Sequence, residues 1–313
     1  MSWDPAMFRL FLEHGADPIT GLPFTHAFEA RVKTALRALI DLKKARPEIA
    51  PALQAQADRA LRHFSKQGDL KWVSLMMWAG ANPRTPGPQL HEDDDPENYV
   101  TALQEACYGG HVDVLKKMKP SSSTDDIADL FRCTAFLVHI EAMQYFLGLG
   151  AAVNDLPNGG SAALDSCLGH LWLDAYSPYG GRKSKYQVSK TFDVLKLLLE
   201  RGALWRPEGK HCFDSLRRGL LSCEPAVTLE LLTLLRRHNA ARTEDIEELC
   251  RNRKMEQHLA SEARTFERWG VQIGPKKRLK KGEPETVSIT QCRGSAKLLI
   301  MVSAEGIEPS TYC

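Results

Sequence analysis

Between Ala60 and Pro83 (ALRHFSKQGDLKWVSLMMWAGANP) apolar and polar positions follow a pattern that recurs, in weaker form, along most of the chain. Leu61 and Phe64, three apart, predict one apolar side of a short first helix. Gly68 and Asp69 interrupt it, since glycine reaches backbone angles closed to other residues. Leu70, Val73, Met76 and Met77 then repeat at threes and fours, which predicts a second helix with a single apolar stripe. Gly80 stands where a helix C-cap glycine is favoured, and Asn82-Pro83 turns the chain outward. Two helices this short cannot cover both of their apolar faces. Such a unit needs neighbours stacked on either side.

Other copies are readable in order. Asp4 to Pro18 (DPAMFRLFLEHGADP) matches a second helix and turn, with Met7, Leu10 and Phe11 facing inward and Gly15-Ala16 ending it. No first helix precedes it. An unprotected Met7/Phe8/Phe11 face favours a piece of a longer array over a degenerate first repeat, because arrays carry polar caps. Phe24–Ala30 and Lys33–Lys44 can pair as helices, with Arg46-Pro47 in place of the usual turn. Beyond the best unit, about Pro51 to Gly87, an acidic loop His91–Glu97 lengthens the connection to the next helices at Thr101–Lys119. Asp125–Asp155 repeats the pattern, with Met143, Phe146 and Leu147 in the stripe and Gly150-Ala151 as terminator. The unit opening at Ser161 carries an insertion of roughly Trp172–Lys190 before resuming as TFDVLKLLLERGALW. Residues 211–240 form a diverged pair ending in Asn239-Ala240, and asparagine also tolerates the left-handed conformation. Thr243 is placed to N-cap one polar terminal helix, Glu244–Trp269.

The residues Leu61, Gly68, Leu70, Val73 and Gly80-Ala81-Asn82-Pro83, followed in phase by Thr101, Leu103, Ala106, Gly110 and His111, resemble the ankyrin repeat, whose period is about 33 residues. The resemblance implies an all-α solenoid of about six to seven helix-turn-helix units over residues 1–270. It further implies that the finger turns and first helices line a concave surface that binds a partner protein. Ankyrin arrays occur in all kinds of organism, including bacterial proteins delivered into host cells, so the resemblance fixes neither source nor compartment.

Composition changes this picture at the C-terminus. The formal charge is +2, from 41 basic and 39 acidic residues. Residues 271–313 hold seven basic and four acidic side chains, leaving 34 against 35 for the rest. The basic balance belongs to the tail, and the body offers no argument for nucleic acid. The segment GPKKRLKKGEPE, charged and bounded by Pro and Gly, predicts a disordered tail over 271–313. Its run Lys276–Lys281 fits a solvated linker better than a nuclear address. Eight cysteines form no CxxC pair, and Cys107, Cys133, Cys167 and Cys212 fall in or beside first helices, as reduced buried thiols would. No apolar run reaches membrane-spanning length and no signal-peptide core opens the chain, so a soluble, cytoplasmic and monomeric protein is expected.

No enzymatic constellation is present: the chain lacks GxxxxGK[ST], GxSxG and HExxH, and no cofactor or metal is expected. The candidate partner-binding residues lie on turns and the insertion. Arg84, Tyr108 and Asp155 belong to turns or helix ends. Asp93, Asp94 and Asp95 form an acidic finger that lacks the glycine and distal glutamate of a calcium loop, and it suits a basic partner. The insertion combines Trp172, Tyr176 and Tyr179 with Arg182, Lys183 and Lys185, a mixture that can grip protein or nucleic acid. Trp205 and Arg206 sit at the next finger tip and extend that patch if the insertion folds toward the concave side. The favoured reading is a non-enzymatic interaction scaffold. The alternatives are a regulatory or targeting module of a larger enzyme or effector system, and nucleic-acid binding through the basic insertion and tail.

Overall fold

Asp69 shows how the local signals act. Its side chain accepts the Trp72 amide at 3.1 Å and so starts a helix at Leu70. Gly68, at φ 71°, ends the helix before it. In the computed structural model of the chain, which describes residues 5–88, 99–156, 162–173, 183–186, 188–207 and 210–274, this start-and-stop arrangement recurs throughout.

A single helix, α1 (Pro5–Glu13), opens the described chain. Six pairs follow. The first three are α2 (Pro23–Glu29) with α3 (Thr34–Ala45), α4 (Ala50–Gln67) with α5 (Leu70–Trp78), and α6 (Ala102–Tyr108) with α7 (Val112–Met118). The next three are α8 (Ile127–Phe136) with α9 (Ile140–Gly148), α10 (Ala163–Leu173) with α11 (Ser189–Glu200), and α12 (Lys210–Ser222) with α13 (Pro225–Arg237). A terminal group closes the body: α14 (Thr243–Cys250), α15 (Arg253–His258) and α16 (Ala263–Trp269). Apart from a short antiparallel pair, β1 (Gly87–Pro88) against β2 (Tyr99–Val100), and one isolated bridge between Lys183 and Cys223, the regular structure of the described residues is helical.

Each first helix packs on its own second helix and on the first helices of the neighbouring pairs, in the unbroken series α2, α4, α6, α8, α10, α12, α14. Second helices form a parallel row in which α5 meets α7, α7 meets α9 and α11 meets α13. One apolar core therefore runs from Phe24 to Val271 between the rows. The turns that end second helices stack too. Asn154 donates to the Gly202 carbonyl and accepts the Leu204 amide across one gap, and the Trp205 amide donates to the Ala240 carbonyl across the next. Asn239, at φ 52°, ends α13 in the left-handed conformation that glycine adopts at Gly80, φ 91°.

Several details differ from the sequence reading. In α5 the stripe is rotated: Leu70 is exposed, while Trp72 is buried and stacks on Phe64 with ring centroids 5.1 Å apart. Capping by Asp69 makes Leu70 the first helical residue, on the rim of the pair. Met7, Leu10 and Phe11 face outward from α1, and Leu12 instead packs against the core. The terminal helix is broken. Arg242 rather than Thr243 holds the N-cap position of α14, and Asn252 captures the Lys254 amide at 2.8 Å to begin α15. Ile246, Leu249 and Cys250 of α14 are buried, so the segment is a further layer of the stack and not a polar cap alone. Packing also continues past residue 270, since Val271 is buried and the Gly274 amide donates to the Cys250 carbonyl. The tail beyond it, 275–313, lies outside the described residues, as does the run 298–302.

Arg84 ties the best unit to the one two helices on. Its guanidinium grips Asp125 through two 2.8 Å bonds and also donates to the Lys119 carbonyl at 3.3 Å. Burial alone would raise the Asp125 carboxyl, but Arg84, the Ser121 amide and the Thr124 hydroxyl together hold it below the ordinary carboxylate range. Arg84→Ala is expected to cost about 1–3 kcal/mol, because Asp125 is left charged and under-satisfied. A folded pKa below the unfolded one gives stability that is full at neutral pH and is lost as pH falls through the folded value. Urea melts should therefore show the gap between wild type and variant closing on acidification below the carboxylate range. A gap independent of pH would sink this account.

Candidate functional site

The C-terminal ends of α4, α6 and α8 frame a cleft of about 570 Å³. Its position follows from how α6 begins. Thr101 and Gln104 form a reciprocal capping box, with the Gln104 amide on Thr101 Oγ1 at 3.2 Å and the Thr101 amide on Gln104 Oε1 at 2.9 Å. Gln104 then donates to Asp129 at 2.9 Å, and Asp129 holds Arg132 at 2.7 Å. One network thus fixes α6 against α8 and aims Arg132 into the cleft.

Two histidines set the spacing between layers. His111, at the start of α7, donates Nε2–H to the Lys66 carbonyl of the preceding pair at 2.9 Å. His139, at the start of α9, does the same to the Tyr108 carbonyl, also at 2.9 Å. Neither caps its own helix through its side chain. Histidines at helix starts read as caps in the sequence; here the rings reach back across the stack.

Tyr108 and Phe136 supply half-buried aromatic walls, and Lys66 and Arg132 supply cationic rims. Glu105 lines the cleft although it is fully buried. It faces the neighbourhood of Arg62, a buried guanidinium whose pKa is pulled down by desolvation against the supporting charges of Asp58 and Glu105. Burial raises the Tyr108 phenol, and the adjacent Cys133 raises it further. The Cys133 thiol is pushed up to about 11 by burial and by Asp129. Burial opposes the Arg132 charge, but the bond to Asp129 outweighs it and raises that pKa. Phenol and thiol both stay protonated near neutrality, so this cleft offers hydrogen bonds, stacking and charge contacts and no activated thiolate.

Of the residues singled out in the sequence, Tyr108 lies in this cleft. Arg84 is committed to Asp125 and holds the stack together. Asp155 is exposed on the turn after α9. Trp172 lies in the last turn of α10, since that helix runs on to Leu173. Lys183 is a correction. It is buried, its backbone bridges Cys223, and its ammonium donates to the Leu171 carbonyl at 2.9 Å. Lys185 is exposed and paired with Glu230 at 2.9 Å. Trp205 is likewise corrected: it is 2% exposed, packed edge-on against Phe213, with Arg206 exposed beside it. Ala203, Leu204 and Trp205 are consecutive apolar residues, so no alternation in the sequence marks which of them turns inward. Asp93, Asp94, Asp95, Tyr176, Tyr179 and Arg182 lie outside the described residues.

Lys66, Glu105, Arg132 and Phe136 were not singled out in the sequence. Only Glu105 carried a signal, as a carboxylate at a core position between Leu103 and Ala106-Cys107 of the ALQEACY helix. The sequence matches no protein-family model, and a comparison with curated proteins finds no match. No helix among the described residues is long and apolar enough to cross a membrane.

Proposed function

We propose that this chain is a non-enzymatic scaffold of the ankyrin-like solenoid type, which binds a partner protein on its first-helix face and the adjoining turns. Seven first helices in series, left-handed terminators after the second helices, and hydrogen bonds from turn to turn all support the solenoid reading. The observation that carries the binding reading is the cleft at α4, α6 and α8. It combines half-buried aromatics with cations on a frame held by the Thr101–Gln104–Asp129–Arg132 hydrogen bonds, the composition in which a partner's anchoring side chain gains most. A soluble, cytoplasmic and monomeric chain belongs to the same proposal. Nucleic acid is the weaker alternative, because the insertion's Lys183 is withdrawn from solvent.

The test is affinity capture with the full chain as bait, followed by titration of the captured protein. Tyr108→Ala and Phe136→Ser should each weaken binding by about 2 kcal/mol or more, the loss typical of an anchoring contact. Circular dichroism should stay helical in both. A partner held with undiminished affinity by both folded variants would place the binding surface elsewhere.

A further inference from the structure

A second groove lies on the other row of helices, between α5 and α7, with a volume of about 480 Å³. Its floor is methionine: Met77 is half-buried and Met118 is buried, and methionine is a soft side chain that moulds to varied partners. Trp78 forms one wall and is 66% exposed. Lys116, Lys117 and Lys119 form the other, all exposed, and among the described residues no carboxylate lines the groove. The nearest acid on the same helix, Asp113, sits 3.5 Å from Lys116 and is itself well exposed.

The bland account is that cations collect at the C-terminal end of α7, where the helix dipole favours them. It leaves two facts without a reason. Trp78 has a large apolar ring standing in solvent beside those cations. Lys119 adopts φ 55°, a left-handed conformation in which glycine or asparagine would be unstrained. The Lys119 carbonyl accepts from Arg84 at 3.3 Å, and Lys119 lines the groove in this conformation.

We infer that the α5–α7 groove is a docking site for a short acidic segment of a partner protein carrying one large apolar side chain. The apolar side chain settles on Met77 and Met118 beside Trp78, and flanking carboxylates meet the three lysines. Charge complementarity selects the occupant. Single-stranded nucleic acid calls for a basic track with successive stacking aromatics, whereas this groove is lined by a single aromatic, Trp78. A lipid surface has no protrusion to fill a groove. The site is independent of the first-helix cleft and stands or falls separately.

The probe is a fluorescein-labelled peptide of Asp and Glu around a single Phe, titrated into the full chain by anisotropy at low and physiological salt. The comparison probes are the same peptide with Phe replaced by Ser, an oligothymidylate, and phosphatidylserine-containing vesicles. Saturable binding of the Phe peptide is expected, weakened about tenfold or more by Trp78→Ser and by the Lys116→Glu/Lys117→Glu pair. Lys119→Gly should weaken binding while raising the unfolding midpoint, a split that a purely structural lysine would not give. The inference is overturned if the Phe peptide does not saturate, if it binds Trp78→Ser and the charge-reversed variant unchanged, or if the oligothymidylate or the vesicles bind in its place.

Discussion

Replacing Phe64 with alanine should lower the unfolding free energy by about 3–5 kcal/mol, the largest single-residue loss expected in the chain. Phe64 is fully buried in α4, the helix that packs on α2, α3, α5 and α6 at once. Its ring stacks on Trp72 at 5.1 Å and 20°, and His63 meets it edge-on at 5.2 Å. Truncation leaves a cavity that four surrounding helices, each held by its own neighbours, cannot collapse into. In a stacked array the loss also has a characteristic form. Stability is a sum of unit and interface terms, so weakening one central unit should split the single urea transition into two. Tryptophan fluorescence would report the Trp72 neighbourhood melting first, while circular dichroism lags. A loss below about 1 kcal/mol would mean that the α4–α5 pair is not the keystone described here.

The succession of short helices was legible where its signal is carried by the backbone. Gly68, Gly80, Gly150 and Asn239 occupy left-handed positions, where glycine and asparagine are least strained, so each could be read in the sequence as a helix stop. The buried stripe of Val73 and Met76 was legible for the same kind of reason, a fixed geometric period. What failed was phase and interruption. Leu70 fits the period but lies at a capped helix start, where an end effect overrides the stripe. Glu244–Trp269 looked continuous because nothing in its periodicity reveals that the Asn252 side chain takes over an amide. The candidate site was legible only at Tyr108. Lys66 comes from α4 while Arg132 and Phe136 come from α8, and no local pattern encodes a meeting between chain segments that stacking alone brings together. Lys183 and Trp205 were misplaced by the reverse error, since a polar or aromatic residue near a turn reads as exposed until a neighbouring pair covers it.

Gly68→Ala should be nearly as damaging, at about 2–4 kcal/mol, and for two separable reasons. The first is conformational: Gly68 holds φ 71°, where a Cβ strains against its own backbone. The second is steric. A Cβ on Gly68 would lie 2.5 Å from Nδ1 of His111, the ring that reaches across to the Lys66 carbonyl. The same relation recurs one layer on, where a Cβ on Gly110 would lie 2.6 Å from Nδ1 of His139. Glycine and histidine are therefore a coupled pair in which the missing side chain makes room for the ring that links the layers. A double-mutant cycle separates the two effects. His111→Ala alone should cost about 0.5–1.5 kcal/mol, the net worth of one hydrogen bond. With the ring gone, adding Gly68→Ala should cost only the conformational share, which gives a coupling of about 1–3 kcal/mol between the two sites. Additive losses would show that Gly68 serves its backbone angle alone, and that the histidine link can move aside without cost.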